Sequence, residues 1–409
     1  MYSGARRIRF FSASRGVPRS ARVDIGFTPA GAPRWPVLLT PGPLTTSATT
    51  KAAMLVDFGS RDGAFTRVVA DVRRELLSMA GSSAPAHECV IVQGSGTFGV
   101  EAVLGSAVPR DGKLLVASNG AYGLRMASIA RVLGIPLSPP ITRDERAPLV
   151  PAEVIAAAAA DPTVTHVAVV HHETTAGVLN DVDAIGKGLA ALPHAPAFIV
   201  DSMSGFGAHG VDVVRSRVAF LISSSNKCIE GVPGFSFAIC ERGALAASRG
   251  RARSLALDIH AQWAALEAGG QFRFTPPTHA LLAFAQALRE HAAEGGTAGR
   301  LARYASNREE LLRGMAALGL QPYVRAPHAG EIITTFVSPD DANWNFTRAY
   351  DALAAKGYVL YPGKTAAVDS FRVGSIGRIF PQDMRDFLKA FEEELRAQGV
   401  KLPVKQKSI

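Results

Sequence analysis

Cysteine is scarce in this chain, which has only three, Cys89, Cys228 and Cys240, among 409 residues. An odd number at wide spacing makes neither a disulfide framework nor a recognisable metal-binding pattern. The scarcity excludes a small disulfide-stabilised secreted protein and favours a reducing, intracellular setting. A chain of this length with 47% hydrophobic residues can instead bury the cores of two or three domains.

Long apolar runs and repeated segments are also missing. No stretch of about 18 uninterrupted apolar residues occurs, so the sequence predicts neither a membrane span nor a membrane partner. It contains no internal repeat and no low-complexity linker. Charged residues make up 19% of the chain, which is ordinary for a globular protein. We therefore expect a water-exposed globular fold rather than a membrane protein or a repeat array.

Acidic residues are missing from the first 22 positions, where six arginines lie. Lys401, Lys405 and Lys407 lie in the last nine positions, so the net charge of +9 comes largely from the two ends. Because aromatic and basic residues do not interleave as in single-strand-binding proteins, we expect no nucleic-acid partner. The Arg- and Ser-rich start fits an organellar transit peptide or the irregular start of a bacterial cytoplasmic protein, and we favour the second interpretation.

Apolar runs of strand length recur through the middle of the chain. They occupy residues 89–92, 114–117, 166–170, 197–200, 218–222 and 235–240, and most are separated by helical segments, including 97–107, 122–133 and 182–192. Apolar strands that alternate with helices are typical of a mostly parallel sheet covered on both faces. The predicted fold class is therefore α/β, and a ligand is expected beyond the carboxyl ends of the strands.

The pattern changes after residue 243. Residues 252–316 favour helices, and further on short strands mix with helices at 345–355 and 381–398, which is typical of a smaller α+β domain. We divide the chain into four parts: a basic, irregular extension (1–36), a large domain (37–300) whose N-terminal arm joins the small domain, a small C-terminal α+β domain (301–398), and a basic tail (399–409).

Glycine and hydroxyl residues follow the first two predicted strands. Gly94, Ser95, Gly96 and Thr97 follow the first strand and begin a helix, an arrangement that suits a phosphate but also occurs in ordinary strand-to-helix turns. The stretch does not match the P-loop pattern. Tyr122 begins the helix after the second strand. It could present its face to a bound ring or simply pack at the start of a helix.

Titratable side chains follow the later strands. The neighbours His171, His172 and Glu173 suggest a metal site, but adjacent strand residues point to opposite faces, so we predict none. Asp201 ends the fourth strand, where a buried carboxylate requires a partner. Lys227 lies between the last two apolar runs. It is either a solvated lysine in a surface turn or a buried amine with a lowered pKa that can form an imine.

Together these strand ends supply a phosphate cradle, an aromatic face, a buried carboxylate and an imine-forming lysine. Pyridoxal 5'-phosphate (PLP) requires such a lysine and an acidic partner for its pyridinium nitrogen. Each signal is weak alone, but their occurrence in this order predicts a PLP site. Lys227 and Asp201 are its predicted catalytic residues.

The same stretches resemble a known family. The chain is similar to the class V aminotransferases of PLP fold type I from about residue 37 to residue 398. The resemblance implies a mostly parallel, seven-stranded-type sheet between helices. Within the family, the Asn-Lys-Cys-Ile-x-Gly-Val-Pro-Gly motif at 226–234 resembles that of the members acting on a phosphonate amine. The similar segments are residues 39–46, 93–97, 100–106, 118–123, 173–180, 200–204, 225–235 and 371–377.

The resemblance also implies residue roles. Lys227 would be the Schiff-base lysine, Asp201 would pair with the pyridinium nitrogen, and Arg372 would bind the acidic end of the substrate. The active site would lie at the interface of a homodimer. The other implied cofactor-binding residues are Ser95, Gly96 and Thr97 at the phosphate, Tyr122 stacked on the ring, Thr174 near the 3-hydroxyl, Asn226, and Thr275 at the neighbouring subunit's phosphate.

The activity implied by the resemblance is transamination between an amino phosphonate and a keto acid. The specific expectation is conversion of 2-aminoethylphosphonate and pyruvate to phosphonoacetaldehyde and L-alanine, a step in phosphonate breakdown. Alanine–glyoxylate or serine–pyruvate transamination on the same fold is the nearest alternative. A PLP lyase or desulfurase would need a mobile nucleophilic cysteine, and a non-enzymatic PLP-fold regulator would need an appended DNA-binding module.

Overall fold

The structure is a computed structural model, and it describes residues 35–365 and 368–407. Nearly all of the extension predicted for residues 1–36, including its Arg-rich segment, lies outside the described residues. The last two residues of the predicted basic tail do so as well. Among the described residues, no helix is both long and apolar enough to cross a membrane.

Strands and helices alternate through the first two thirds of the described chain. The strands are β1 (Val37–Leu38), β2 (His87–Gln93), β3 (Lys113–Ser118), β4 (Ile141–Thr142), β5 (Val164–Val170), β6 (His172–Glu173), β7 (Val178–Leu179), β8 (Ala197–Asp201), β9 (Phe220–Ser224), β10 (Phe235–Glu241), β11 (Ile333–Val337), β12 (Tyr358–Val359), β13 (Tyr361–Pro362) and β14 (Ser370–Gly374). The α-helices are α1 (Ala48–Ala52), α2 (Gly63–Met79), α3 (Gly96–Ala107), α4 (Ala121–Val132), α5 (Pro151–Ala160), α6 (Val182–Ala190), α7 (Arg242–Ala247), α8 (Ile259–Gly269), α9 (Thr278–Ala293), α10 (Gly296–Ala317), α11 (Phe346–Ala355) and α12 (Pro381–Gln398).

A seven-stranded sheet forms the centre of the molecule, in the order β2-β10-β9-β8-β5-β3-β4. Strand β10 runs antiparallel to both of its neighbours, and the remaining pairings are parallel. The predicted α/β class with a mostly parallel sheet is confirmed. All six strands predicted from apolar runs lie in this sheet. The seventh, β4, has only two residues and pairs with the end of β3.

Helices cover both faces of the sheet because its strands are apolar on both sides. In β2, Cys89 and Ile91 face one core, whereas Val90 and Val92 face the other, as the alternation of side chains along a strand requires. Helices α2, α5, α6 and α9 pack on the first face, and α3, α4, α7 and α8 pack on the second. The sheet is therefore the middle layer of three, with a layer of helices on each face.

A smaller antiparallel sheet, in the order β11-β14-β13, lies in the C-terminal part of the chain. Its core includes residues of α10, α11 and α12. Near the start of the described chain, β1 pairs with β12 in parallel, which joins the N-terminal arm to this part. The domain boundary at 300/301 stays a prediction. Helix α10 runs through it and packs against both α9 and α12.

Candidate active site

The carboxyl ends of the parallel strands open into a cavity of about 250 Å³. Its wall includes residues at or just after the ends of five strands, as expected for a sheet of this type. These strands are β2, β3, β5, β8 and β9. Eight residues singled out from the sequence line this cavity. They are Ser95, Gly96, Thr97, Tyr122, Thr174, Asp201, Asn226 and Lys227.

The turn from β2 into α3 forms one wall of the cavity. Ser95 precedes α3 as its N-cap residue, and its side chain makes no capping hydrogen bond. A Cβ atom at Gly96 would lie 2.2 Å from the Sδ atom of Met203, so only glycine fits this position without a shift. The helix N-terminus, with the hydroxyl groups of Ser95 and Thr97, forms a cradle suited to an anion.

Asp201 ends β8 and is 5% exposed. Its Oδ1 atom accepts a hydrogen bond of 2.9 Å from the backbone N–H of Met203. Burial raises the pKa of Asp201 to about 6, and the charge of Glu173 acts in the same direction. Because burial disfavours the charged form of this carboxylate, a cationic group of a ligand beside it would be stabilising.

Lys227 lies in the turn that follows β9. Its Nζ atom donates hydrogen bonds to the backbone oxygens of Pro41 and Gly42, at 2.8 and 3.4 Å. Burial lowers the pKa of Lys227 below its usual value, although Tyr122 and Asp201 oppose the shift. A lysine amine with a lowered pKa is more readily neutral and nucleophilic.

Arg372 reaches the site from β14 in the small sheet and is 5% exposed. Its Nε atom donates to the oxygen of Pro362 at 3.0 Å, and its Nη1 atom donates to the oxygen of Thr174 at 3.1 Å. Burial lowers the pKa of the Arg372 guanidinium. Arg372 thus contacts Thr174, which lines the cavity, although Arg372 itself is not part of the cavity wall.

Several cations surround Tyr122. The Nζ atom of Lys364 lies 3.9 Å from the centroid of its ring, and the guanidinium carbon of Arg125 lies 4.9 Å from it. Burial acts to raise the pKa of Tyr122, but the charge of Lys364, a hydrogen bond with Thr174 and further cations lower it overall. The excess of positive charge suits a ligand with more than one anionic group.

Thr275 is the one predicted cofactor-binding residue that does not line this cavity in the described chain. It is exposed in the segment before α9, and its backbone oxygen accepts a hydrogen bond of 3.0 Å from Gln93. Its predicted contact is with a neighbouring subunit, so its role stays a prediction.

The predicted site residues did not include Arg125, His172, Met203 and Ser224, which also line the cavity. Arg125 lies one helical turn after Tyr122, and its Nη1 atom donates to Thr97 Oγ1 at 3.4 Å, so helical spacing could have indicated it. Ser224 ends a buried strand at the same sheet edge as Asp201, which is the signal that could have found it. Among the described residues, no group of three or more His, Cys, Asp or Glu side chains is arranged to hold a metal ion.

The cavity fits PLP. The buried Oγ atom of Ser224 lines it without a hydrogen-bond partner in the described chain, which leaves a polar atom for a ligand. The N-terminus of α3, with the hydroxyl groups of Ser95 and Thr97, suits the phosphate, and Asp201 and Lys227 supply the acid and amine that the cofactor requires. The sheet and this set of groups define a PLP-dependent enzyme of fold type I.

Comparisons with known proteins identify the family. The family model for Aminotransferase class-V matches residues 51–345. The chain is 48% identical over 365 residues to a 2-aminoethylphosphonate–pyruvate transaminase of Rhizobium meliloti (strain 1021), covering 89% of this chain and 94% of that protein. It is also 48% identical to the protein of the same name from Pseudomonas putida (strain W619), over 89% of this chain and 98% of that protein. The chain belongs to the class-V aminotransferases, and its cofactor is PLP.

A solved structure supports the fold. The alanine–glyoxylate aminotransferase from Nostoc sp. matches with a TM-score of 0.82 and 23% identity, over 88% of this chain and 96% of that chain. At this identity the likeness concerns the fold alone. The predicted PLP fold type I architecture with a smaller C-terminal domain is confirmed.

Proposed function

We propose that this aminotransferase transfers the amino group of 2-aminoethylphosphonate to pyruvate, giving phosphonoacetaldehyde and L-alanine. The observation that carries the proposal is the 48% identity over 89% of the chain to relatives named for this reaction. Arg372, Lys364 and Arg125 around Tyr122 support an anionic substrate beside an anionic cofactor.

The roles of Lys227 and Asp201 follow from their surroundings. Bound in the cavity, PLP supplies the electron sink that weakens the C–H bond next to the substrate amine. Asp201 would accept a charge-assisted hydrogen bond from the protonated ring nitrogen, which offsets the cost of burying its own charge. The Lys227 amine, with its lowered pKa, would take the proton from the substrate carbon as general base and would deliver it to the cofactor carbon as general acid.

Arg372 would hold the acidic end of both substrates. A guanidinium fork donates two parallel hydrogen bonds to a phosphonate as well as to a carboxylate, so one residue can serve both half-reactions. Its contacts with the backbone oxygens of Pro362 and Thr174 fix the orientation of the fork. The remaining cofactor contacts would come from Ser95, Gly96, Thr97, Tyr122, Thr174 and Asn226.

A donor and acceptor screen with product identification tests the proposal. We expect the PLP-loaded protein to form L-alanine from 2-aminoethylphosphonate and pyruvate with a kcat/KM at least about 100-fold above that for L-serine or L-alanine with glyoxylate. Protein that shows the visible absorbance of bound PLP but prefers either of those carboxylate donors would contradict the phosphonate assignment. It would establish the alternative transamination instead.

We infer that the active form is a homodimer with its two sites at the interface. Phe98, in the first turn of α3, is 53% exposed, and Phe274, next to Thr275, is 48% exposed. Exposed aromatic side chains beside a cavity are typical of a surface that a partner covers. Sedimentation of the PLP-loaded protein at micromolar concentration should give twice the 43.1 kDa mass of the chain, and a monomer with full activity would contradict the inference.

We infer that the chain acts in the bacterial cytoplasm. All three cysteines are buried and free, which supports a reducing compartment, and the relatives described above are bacterial proteins. Recovery of the native protein in the membrane or periplasmic fraction of its host would contradict this location.

A further inference from the structure

A buried group of charged and polar side chains lies behind the turn that carries Lys227. The group, named here the α10 cluster, consists of Glu230, Glu294, Arg300, Arg303 and Tyr304. Arg300 and Tyr304 are 1% and 0% exposed. Two carboxylates and two guanidinium groups balance in charge, as buried ionic groups require.

The cluster is bound to the lysine turn through Glu230. The backbone N–H of Glu230 donates to the oxygen of Lys227 at 2.7 Å, which closes the turn. Glu230 has a φ of +64°, a left-handed conformation that is uncommon for a residue with a side chain. Its Oε1 atom accepts hydrogen bonds from Arg303 at 2.7 Å and from the Tyr304 hydroxyl at 2.6 Å. The side chain thus ties an unusual backbone conformation to α10.

Arg300 adds a second attachment to the same turn. Its Nη1 atom donates to the backbone oxygen of Cys228, the residue after Lys227. Its Nε atom donates to Glu294 at 2.9 Å. The backbone on the C-terminal side of the lysine is therefore held at two points, Cys228 and Glu230.

The same helix face also binds the loop that follows the Arg372 strand. Arg303 Nη1 donates to the oxygens of Gly377 and Ile379, and the Tyr304 hydroxyl accepts a 3.4 Å hydrogen bond from the N–H of Gly377. Asn307, one turn further along α10, donates to the oxygens of Ser375 and Ile379 at 3.0 and 3.1 Å. One face of α10 therefore contacts both chain segments that carry the proposed amine and guanidinium.

We propose that Glu230, Arg303 and Tyr304 are positioning residues that hold the Lys227 turn in register with the loop following the Arg372 strand. The inference rests on the roles proposed above for Lys227 and Arg372. A substrate held by its acidic end at Arg372 must present its carbon to Lys227, so a change in their separation misplaces the reacting atoms. A displacement of about 1 Å can cost about 100-fold in rate.

Three variants separate the contribution of the Tyr304 hydroxyl from that of the Glu230 carboxylate. Tyr304→Phe removes only the hydroxyl that joins Glu230 to Gly377 and keeps the ring in its buried place. Glu230→Ala removes the shared Oε1 atom, whereas Glu230→Gln keeps an oxygen that can accept both hydrogen bonds. Arg313→Met is the matched control, because Arg313 lies on α10 but is exposed and, among the described residues, forms an ion pair only with Glu310.

The PLP-loaded variants are compared at equal cofactor content by two measurements. The first is the pH midpoint of the change in the visible absorbance of bound PLP, which reports the environment of Lys227 without any substrate. The second is kcat and KM for the preferred amino donor. We expect a kcat/KM about 10-fold lower for Tyr304→Phe and about 100-fold lower for Glu230→Ala, with a shifted midpoint. Glu230→Gln keeps the acceptor but loses the charge that balances Arg300 and Arg303, so its kcat/KM should lie between those of wild type and Glu230→Ala.

The control variant, Arg313→Met, should keep the wild-type midpoint and the wild-type kcat and KM. If Glu230→Ala and Tyr304→Phe only lower the melting temperature and keep the midpoint and kcat/KM, the proposal is wrong and the cluster is purely structural. If Glu230→Gln is as impaired as Glu230→Ala, the assignment of positioning to the hydrogen bonds at Oε1 is wrong, and the charge of Glu230 carries the effect. A wild-type preference for a carboxylate donor would overturn the phosphonate function alone, since both measurements still apply with that donor.

Discussion

Asp201 is a single residue whose burial has opposite consequences with and without the cofactor. Its pKa is raised from 3.8 to about 6 because the carboxylate is buried. Between these two values the folded cofactor-free chain holds a proton at Asp201 that the unfolded chain has lost. The contribution of Asp201 to stability is therefore fully present below about pH 4 and is lost as the pH rises through about 6.

We predict that Asp201→Asn stabilises the cofactor-free protein at pH 7 but not at pH 4. The asparagine oxygen can keep the hydrogen bond from Met203 and carries no charge. A shift of this size corresponds to about 3 kcal/mol at pH 7. Urea unfolding of both cofactor-free proteins at the two pH values measures the difference.

The cofactor-loaded proteins provide the control for this prediction. With PLP bound, a protonated ring nitrogen beside Asp201 offsets the buried charge, so the same substitution should destabilise rather than stabilise at pH 7. It should also lower kcat by at least about 100-fold, because the electron sink is weakened. An equal effect of Asp201→Asn at both pH values without cofactor would show that its charge does not set the pH dependence.

At the scale of elements, the loop before α1 contacts Lys227 directly. Gly42 has a φ of +120°, and a Cβ atom there would lie 2.5 Å from the Nζ atom of Lys227. The neighbouring prolines restrict the loop, so it cannot easily move away. The loop thus presents two backbone oxygens to the amine and excludes any side chain from the same space.

We predict that Gly42→Ala impairs the site beyond its effect on stability. The strained backbone should cost about 1–3 kcal/mol of unfolding free energy. Displacement of Lys227 should lower kcat by about 10- to 100-fold and reduce the visible absorbance of bound PLP. Gly134→Ala is the control, because Gly134 has a φ of +64° and no atom within 4 Å of its Cβ position. The Gly134→Ala variant should lose stability but keep kcat. An equal loss of kcat in both variants would show that the close contact between Gly42 and Lys227 is not the cause.

The long strands of the central sheet follow from local sequence, whereas its shortest strand does not. Long apolar strands such as β5 are predictable because almost all of their side chains are buried, six of seven in β5. The rule that ligands lie beyond the strand ends then predicted which loops form the cavity. Strand β4 was missed because two residues carry no periodic signal, and its pairing depends on the neighbouring β3.

The parts of the site that were missed depend on contacts between distant segments. Pro41 and Gly42 meet Lys227 across 186 and 185 positions of sequence, so nothing local to either segment indicates the contact. His172 was considered only as a metal ligand, because its sequence neighbours His171 and Glu173 suggested one. The structure instead places it in the cavity wall, with its ring stacked 5.6 Å from that of His209.

At the scale of the whole molecule, the proposed homodimer makes each site depend on two chains. Thr275 is exposed and lies outside the cavity of its own chain, yet its neighbour Phe274 is joined through Gln93 to the strand before the phosphate cradle. The resemblance to the family implies that a second copy packed on this surface would bring its Thr275 to the phosphate cradle of this chain. The prediction follows that Lys227 and Thr275 of one site come from different chains.

A hybrid of two impaired chains tests this arrangement. Lys227→Ala removes the amine, and Thr275→Asp places a negative charge where the cofactor phosphate would lie, so each homodimer should lose at least about 100-fold in kcat/KM. Co-expression with two affinity tags isolates a hybrid with one variant of each kind. If Thr275 acts across the interface, one of its two sites combines a native lysine with a native threonine, and we expect about half of the wild-type kcat. If Thr275 acts within its own chain, the hybrid contains no intact site and stays as inactive as the homodimers.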